Sequence, residues 1–290
     1  MDTEVRRIHR LKRKCVEVRR DIVEMIHRAK GGHPGGSLSA VEILTVLFFE
    51  VMRLRPEEAE WPDRDRFILS KGHVTPVLYS AMARRGFFPV EELTTFGVPG
   101  TRLQKHVDKH FLPCVEVSSG SLGQGLSIGV GMALADRVDR RTRNIFILNS
   151  DGENQEGQTW EAAMAAAHFN LEKIIAFLDN NGLQTDGAVG DIMKIEPLED
   201  KWRSFGWHVQ RVDGHDVEQI ISAIDLAKGT KDQPHIVIAD TIKGKGVSYI
   251  EGKYEWHSHS ISDEEYGIAL SELDAAEREL EEQEQAAWRS

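Results

Sequence analysis

The chain has only two cysteines, Cys15 and Cys114, in 290 residues. So small a number gives no disulfide framework. A reducing, cytoplasmic setting is expected, with both thiols structural rather than catalytic. No uninterrupted apolar stretch approaches the roughly eighteen residues of a spanning helix. The N-terminus is basic but lacks the apolar core of a secretory signal. The Gly-x-Gly-x-x-Gly fingerprint of a dinucleotide fold is missing, which argues against an ordinary nicotinamide dehydrogenase. Positive charge is also scarce: 36 Lys and Arg face 47 Asp and Glu, for a net charge of −11. That balance argues against nonspecific nucleic-acid binding and leaves room for local basic pockets that hold a phosphorylated sugar.

Hydrophobic residues make up 40% of the chain, enough for a solid core in one large or two small domains. Residues 6–28 read as a helix with Val16, Ile22, Val23 and Ile26 at apolar positions. Residues 39–52 read as a more buried helix. Phe67-Ile68-Leu69 is a candidate strand, with a helix over 74–84. Residues 99–113 read as a long loop, and 126–135 as a tightly packed helix rich in small residues. Strands follow at 145–148, 174–178, 207–211 and 235–239, with helices at 159–168 and 217–227. Repeated strand-to-helix transitions predict an α/β fold, a central, mostly parallel sheet with helices on both faces and right-handed crossovers. Residues 1–270 are expected to form this domain. Residues 271–290 form a charged C-terminal helix or tail, whose thin stripe of Leu273, Ala276 and Leu280 suits a surface or partner-facing helix.

The densest chemical signal lies between Asn149 and Gly182. One apolar run ends in Asn149-Ser150-Asp151-Gly152-Glu153, and the next in Asp179-Asn180-Asn181-Gly182. Strand, turn, helix, strand and turn place both polar turns at the carboxyl edge of a parallel sheet, where α/β proteins bind ligands. An Asp and an Asn delivered together there are oxygen ligands for a hard cation such as Mg²⁺, and a diphosphate could supply further oxygens. Taken alone, Asp151-Gly152 and Asn181-Gly182 are ordinary turn signals.

This spacing resembles the thiamine diphosphate-binding motif. Lys30-Gly31-Gly32-His33-Pro34-Gly35-Gly36, Ser70-Lys71-Gly72-His73, Gly120-Ser121-Leu122-Gly123-Gln124-Gly125 and Asp213-Gly214-His215-Asp216 resemble transketolase segments, in that family's order. The likeness covers roughly residues 22–266 and is closest to the separately encoded N-terminal subunit of a split transketolase. It implies that Asp151, Asn181 and the Leu183 carbonyl ligate Mg²⁺, with Ca²⁺ or Mn²⁺ able to take its place. It implies that Gly152 keeps the turn open for the diphosphate, and that Gly120, Leu122 and Gly123 lie beside the aminopyrimidine. His33, His73, His106 and His257 would line the cofactor and ketose channel, His73 and His257 on the cofactor side. His259 is a neighbouring competitor for the role of His257, and His110 a further substrate-loop candidate. Glu156 would relay protons or couple paired sites at a subunit interface; its plainer role is a helix-start carboxylate. Lys243 and Lys245 could attract phosphate or remain solvated. Asp213-Gly214-His215-Asp216 suits a helix cap. Ser150 stands where the family has glycine. It would crowd the turn at positive φ, or make a local hydrogen bond in an allowed conformation.

The resemblance implies an enzyme, a transketolase moving a two-carbon ketol unit from a ketose (phosphate) donor to an aldose (phosphate) acceptor. No pyrimidine-binding domain is recognisable in the chain. Activity is therefore expected only with a C-terminal subunit that carries one, in an α2β2 heterotetramer without nucleic acid or membrane. Two other readings stay open: a subunit of another thiamine diphosphate enzyme such as an α-ketoacid dehydrogenase, and a noncatalytic assembly or regulatory subunit.

Overall fold

The computed structural model describes residues 3–112 and 115–289, so Cys114 lies outside the described residues. Helix α1 spans Thr3–Arg28, followed by α2 (Pro34–Ser39), α3 (Val41–Val46) and a wide turn over Leu47–Val51. The single helix expected over 39–52 is thus broken at Ala40 and unwound near its end. Ser39 sits at the break, its hydroxyl bonded to the Gly36 carbonyl at 3.1 Å and to the Asp179 carboxylate at 2.5 Å.

Strand β1 (Arg66–Leu69) leads to α4 (Thr75–Arg85). After a long irregular segment come α5 (Gln124–Val138), β2 (Ile145–Ser150), α6 (Gly157–His168) and β3 (Ile174–Asn180). A hairpin of β4 (Leu183–Gln184) and β5 (Gly187–Ala188) precedes α7 (Val189–Ile192) and α8 (Leu198–Ser204). Then come β6 (His208–Asp213), α9 (Val217–Gly229), β7 (His235–Asp240) and α10 (Asp263–Arg289).

The main sheet has the order β1-β2-β3-β7-β6, with every neighbouring pair parallel. Successive side chains on a strand point to opposite faces, and here both faces are covered. Phe146, Leu148, Ile175, Phe177 and Val237 join the core under α1, α3, α4 and α9. Ile145, Ile147, Ile174, Ala176 and Ile236 join a second core under α5, α6 and α8. This is the α/β architecture expected from the sequence.

Cys15 is buried, and burial pushes its thiol up to about 12, which suits a packing role. Helix α10 begins at Asp263, so residue 271 falls inside it. Its stripe turns inward: Leu273 is buried, while Ala276 and Leu280 pack on the same core as α1. Arg20 pairs with Asp274 at 2.8 Å and Arg13 with Glu284 at 3.3 Å across the two helices. No described helix is long and apolar enough to cross a membrane.

Candidate functional site

Parallel register brings four strand ends to one edge. Leu69 stands beside Leu148, Ser150 beside Asp179, and Asn180 beside Asp240. The segments that follow these ends therefore meet. Together with His33 and Gly36 at the start of α2, and with His106, Gly120 and Leu122, they enclose a cleft of about 990 Å³, part of it open to solvent. His33, His73, His106, His257, Asp151 and Glu156 line it. So do Gly120, Leu122, Gly152, Asn181 and Leu183. Gly123 is set behind the wall, where its amide donates to Glu153 Oε1 at 2.9 Å.

The Asp151 carboxylate is buried. It accepts the Gly152 amide at 2.8 Å and the Gly182 amide at 2.7 Å, so it ties the β2 turn to the β3 turn. Burial, and then the nearby Asp179 carboxylate, push its pKa up to about 6. Asn181 Oδ1 accepts the Leu183 amide at 3.1 Å. The Leu183 carbonyl accepts the Lys243 ammonium at 3.1 Å, and that ammonium also lies 3.1 Å from His257 Nδ1. Burial and then Lys71 lower the Lys243 pKa to about 8. Lys245 lies outside the cleft lining and pairs loosely with Glu251 at 3.6 Å.

Ser150 resolves the departure from glycine. It keeps an extended backbone at φ −116°, and its amide donates to Glu153 at 2.8 Å while Glu153 receives its hydroxyl at 3.3 Å. Glu153 supports the site from behind the cleft wall, and the motifs did not single it out. It is fully buried and also accepts the Ser70 hydroxyl, so it ties the ends of β1 and β2 to the start of α5. Its Ser-x-x-Glu spacing with Ser150 was the available signal.

A second unforeseen element is the buried pair of Lys71 and Asp179 on the cleft floor. Asp179 also accepts the hydroxyls of Ser39 and Thr241. Burial opposes its ionisation, but Lys71 and these donors outweigh that and hold the carboxyl below its usual range. Both residues stood in recognisable motifs; only the fold joins them.

The four histidines form one cluster. The His33 ring lies 5.0 Å from His73, 5.6 Å from His106 and 5.6 Å from His257, and His73 lies 5.1 Å from His257. Burial, then neighbouring positive charge, lowers His33 to about 4 and His257 to about 3, and lowers His73 strongly. All three are therefore neutral imidazoles near pH 7, able to donate from one nitrogen and accept at the other. His33 Nδ1 is buried with no protein partner among the described residues. The long segment places His106 through the Gly72 carbonyl, which takes the Val107 amide at 3.2 Å. His110 is exposed and bonds Asp108. His259 is exposed too, outside the cleft lining.

Glu156 is exposed at the cleft rim and makes no side-chain cap to α6, so the helix-start explanation has no hydrogen bond behind it. The Asp213-Gly214-His215-Asp216 turn is structural, as expected. Asp216 caps α9 through the Glu218 and Gln219 amides, and His215 bridges Glu42 and the Ile242 amide.

Residues 11–278 match the family model described as transketolase, thiamine diphosphate binding domain. The chain belongs to the transketolase family. It is 46% identical over 257 residues to the 6-deoxy-6-sulfo-D-fructose transketolase subunit SqwG of Clostridium sp. (strain MSTE9), covering 89% of this chain and 94% of that one. It is 40% identical over 263 residues to one subunit of the apulose-4-phosphate transketolase of Phocaeicola vulgatus, covering 91% and 93%. The solved transketolase of Campylobacter jejuni superposes with a TM-score of 0.86 at 28% identity over all of this chain and 48% of its own. The chain thus spans about half the length of the solved transketolases it matches. This transketolase-family subunit is an enzyme component of the ketol-transfer class, and the family uses thiamine diphosphate with a divalent cation.

The cleft suits that cofactor. Asp151 is a buried carboxylate whose charge is disfavoured until a cation arrives. An amide oxygen and a backbone carbonyl stand on the adjoining turn. A side chain added at Gly152 would meet no atom within 4 Å, so the space beside the turn is open. Among the described residues no cluster of three or more His, Cys, Asp or Glu could hold a metal alone. The oxygen donors that do stand together here, of Asp151, Asn181 and Leu183, are of the kind a hard cation takes.

Proposed function

We propose that this chain is the diphosphate-binding half of a heteromeric α2β2 transketolase, completed by a second subunit that carries the pyrimidine-binding domain. The carrying observation is the convergence of Asp151, Asn181 and Leu183 with four mutually adjacent histidines in one cleft. Asp151, the Asn181 oxygen and the Leu183 carbonyl would hold Mg²⁺, or Ca²⁺ or Mn²⁺ in its place. Lys243 would face the diphosphate, and Gly152 would leave room for it. Gly120 and Leu122, backed by Gly123, would flank the aminopyrimidine. Thiamine diphosphate supplies the carbanion chemistry when bound.

The chain's own contribution is binding, orientation and proton handling. Neutral His33, His73 and His257 can accept a hydroxyl proton at one ring nitrogen and return it, which a permanently charged group cannot do. His106, at the exposed side, would position the substrate. Among the described residues the Glu156 carboxylate has no hydrogen-bond or ion-pair partner, which leaves it available at the rim to a group on the second subunit. Two relatives act, by name, on a sulfonated and a phosphorylated sugar; a ketose donor and aldose acceptor bearing an anionic group are proposed here too. A cytoplasmic setting is part of the same reading.

The test is co-purification of the native partner, then a donor–acceptor screen with thiamine diphosphate and Mg²⁺. Products differing in mass by a two-carbon unit, formed only by the assembled complex, are expected. Turnover by this chain alone would refute the dependence on a partner. Oxidative decarboxylation of a ketoacid without ketol transfer would refute the reaction.

A further inference from the structure

The Asp213-Gly214-His215-Asp216 turn caps α9, and its histidine also bonds the loop that follows β7. His215 Nε2 lies 2.8 Å from the Ile242 amide nitrogen. An amide N–H can only donate, so Nε2 is the acceptor. The ring N–H is then on Nδ1, which lies 3.0 Å from Glu42 Oε2. Glu42 is buried on α3, and its Oε1 lies 2.7 Å from Arg19 Nη2. Burial opposes the charge on Glu42, but Arg19 and His215 outweigh that and hold the carboxyl below its usual range. Arg19 Nε in turn donates to the Lys245 carbonyl at 2.9 Å. One buried carboxylate thus fixes two arms. They grip the same short segment at its two ends, the Ile242 amide and the Lys245 carbonyl.

Between those ends stands Lys243. It is buried and lines the cleft, where its ammonium reaches the Leu183 carbonyl and His257 Nδ1. The backbone that carries it has little stiffness of its own, with Gly244 at φ +83° and Gly246 at φ +91°. Contacts hold it instead. The Gly244 amide donates to the Gly35 carbonyl at 2.9 Å, and a Cβ built at Gly246 would fall 2.8 Å from Arg19 Cδ. The approach on the His215 side is as close. The Gly214 amide donates to the Asp240 carbonyl at 2.8 Å, and a Cβ there would collide with Thr241 Cγ2. A lysine carries its charge on a flexible four-carbon stem. It meets two acceptors at low entropic cost only when its backbone is pinned.

We propose that His215, oriented by Glu42, is a positioning residue of the cofactor site: it sets the 242–245 segment so that Lys243 faces the Leu183 carbonyl, His257 and the diphosphate. This rests on the ketol-transfer reading above and adds a residue that acts on that site from outside the cleft lining. Only Nε2 of the ring reaches the segment, while Nδ1 serves Glu42. A side chain that copies Nδ1 alone should lose the effect, and one that copies Nε2 should keep it. Asparagine does the first and glutamine the second.

The test uses the assembled complex with Mg²⁺, in the wild type, His215→Asn, His215→Gln, Lys243→Met and His215→Asn combined with Lys243→Met. Neither change at His215 strands the Glu42 charge, which stays paired with Arg19. Thiamine diphosphate is titrated into each complex by calorimetry. His215→Asn should raise its Kd about five- to tenfold, the scale of one lost hydrogen bond. His215→Gln should stay within about twofold of wild type, because its amide oxygen can still accept the Ile242 N–H. On top of Lys243→Met, His215→Asn should add less than about twofold, since its route to the cofactor is already cut. Equal Kd for wild type and His215→Asn, equal losses in the Asn and Gln variants, or an undiminished loss on top of Lys243→Met would each overturn the proposal. The hold on the segment is read without cofactor, by amide hydrogen exchange over residues 241–247. Exchange should quicken about fivefold or more in His215→Asn and stay near wild type in His215→Gln. Equal rates in wild type and His215→Asn would refute the role of His215. If the wild-type complex binds no thiamine diphosphate, the functional reading falls, and the exchange rates then decide the hold of His215 by themselves.

Discussion

Asp151→Asn should stabilise the cofactor-free chain near neutral pH while abolishing its response to cofactor. The carboxyl rises from 3.8 to about 6 on folding, because burial and Asp179 disfavour its charge. A folded pKa above the unfolded one favours the native state at low pH, and that advantage disappears as pH rises from 3.8 through 6. The shift of about 2 units corresponds to roughly 3 kcal/mol. The amide variant does not titrate, so it escapes this loss. It incurs another: Asp151 accepts two backbone amides, and an asparagine NH₂ facing one of them costs about 1–2 kcal/mol. Above pH 7 the variant should therefore come out more stable by about 1–2 kcal/mol, and below pH 4 less stable by about 1–2 kcal/mol. The assay is urea denaturation of chelator-treated chain at several pH values, comparing free energies of unfolding. With thiamine diphosphate and Mg²⁺ at a hundredfold excess over Kd, wild type should gain about 2.7 kcal/mol and the variant far less. A wild-type-minus-variant difference that stays flat between pH 4 and 7.5 would refute the electrostatic argument. Equal stabilisation of both by the cofactor would remove Asp151 from the cation site.

Two other perturbations follow from buried groups. His235 is fully buried at the start of β7, close to the Thr230 backbone and with the His208 ring 5.2 Å away. Burial and then His208 lower its pKa from 6.5 to about 4, so stability should be lost as pH falls from 6.5 towards 4, by up to about 3 kcal/mol. His235→Phe should lose that part of the acid sensitivity in urea midpoints at pH 7 and 4.5; an unchanged pH slope would count against it. Lys71→Met strands the Asp179 carboxylate and should cost about 3–5 kcal/mol, whereas adding Asp179→Asn should recover a large share of it. Strictly additive losses in the double-mutant cycle would show that the pair is not coupled.

The periodicity of the chain was enough for the layered architecture. Apolar runs ending in polar turns identified β1, β2, β3 and β7, because a strand buried on both faces needs side chains that tolerate no water on either side. The half-exposed edge strand β6 was identified from Trp207-His208-Val209-Gln210-Arg211 ahead of the Asp213-Gly214 turn. The helix expected over 39–52 begins two residues later, at Val41, and ends in a wide turn, while Ser39 belongs to α2 and reaches Asp179, a contact 140 residues away. Local propensity carries no trace of such a bond. Likewise the stripe on α10 was legible, but its direction was not: only packing decides whether an apolar stripe meets a partner or its own α1.

For the site, the residue types and their order in the chain named Asp151, Asn181 and the four histidines, through turns after apolar runs and through the family's motifs. Tertiary structure decided what surrounds them. It buried three of the histidines deeply enough to keep them neutral and joined Lys71 to Asp179 beneath the cleft. The division has one physical cause. Hydrophobic patterning and turn chemistry act over a few residues and are written into the chain locally. Burial, charge and hydrogen-bond pairing depend on neighbours that become neighbours only when the parallel sheet has set its register.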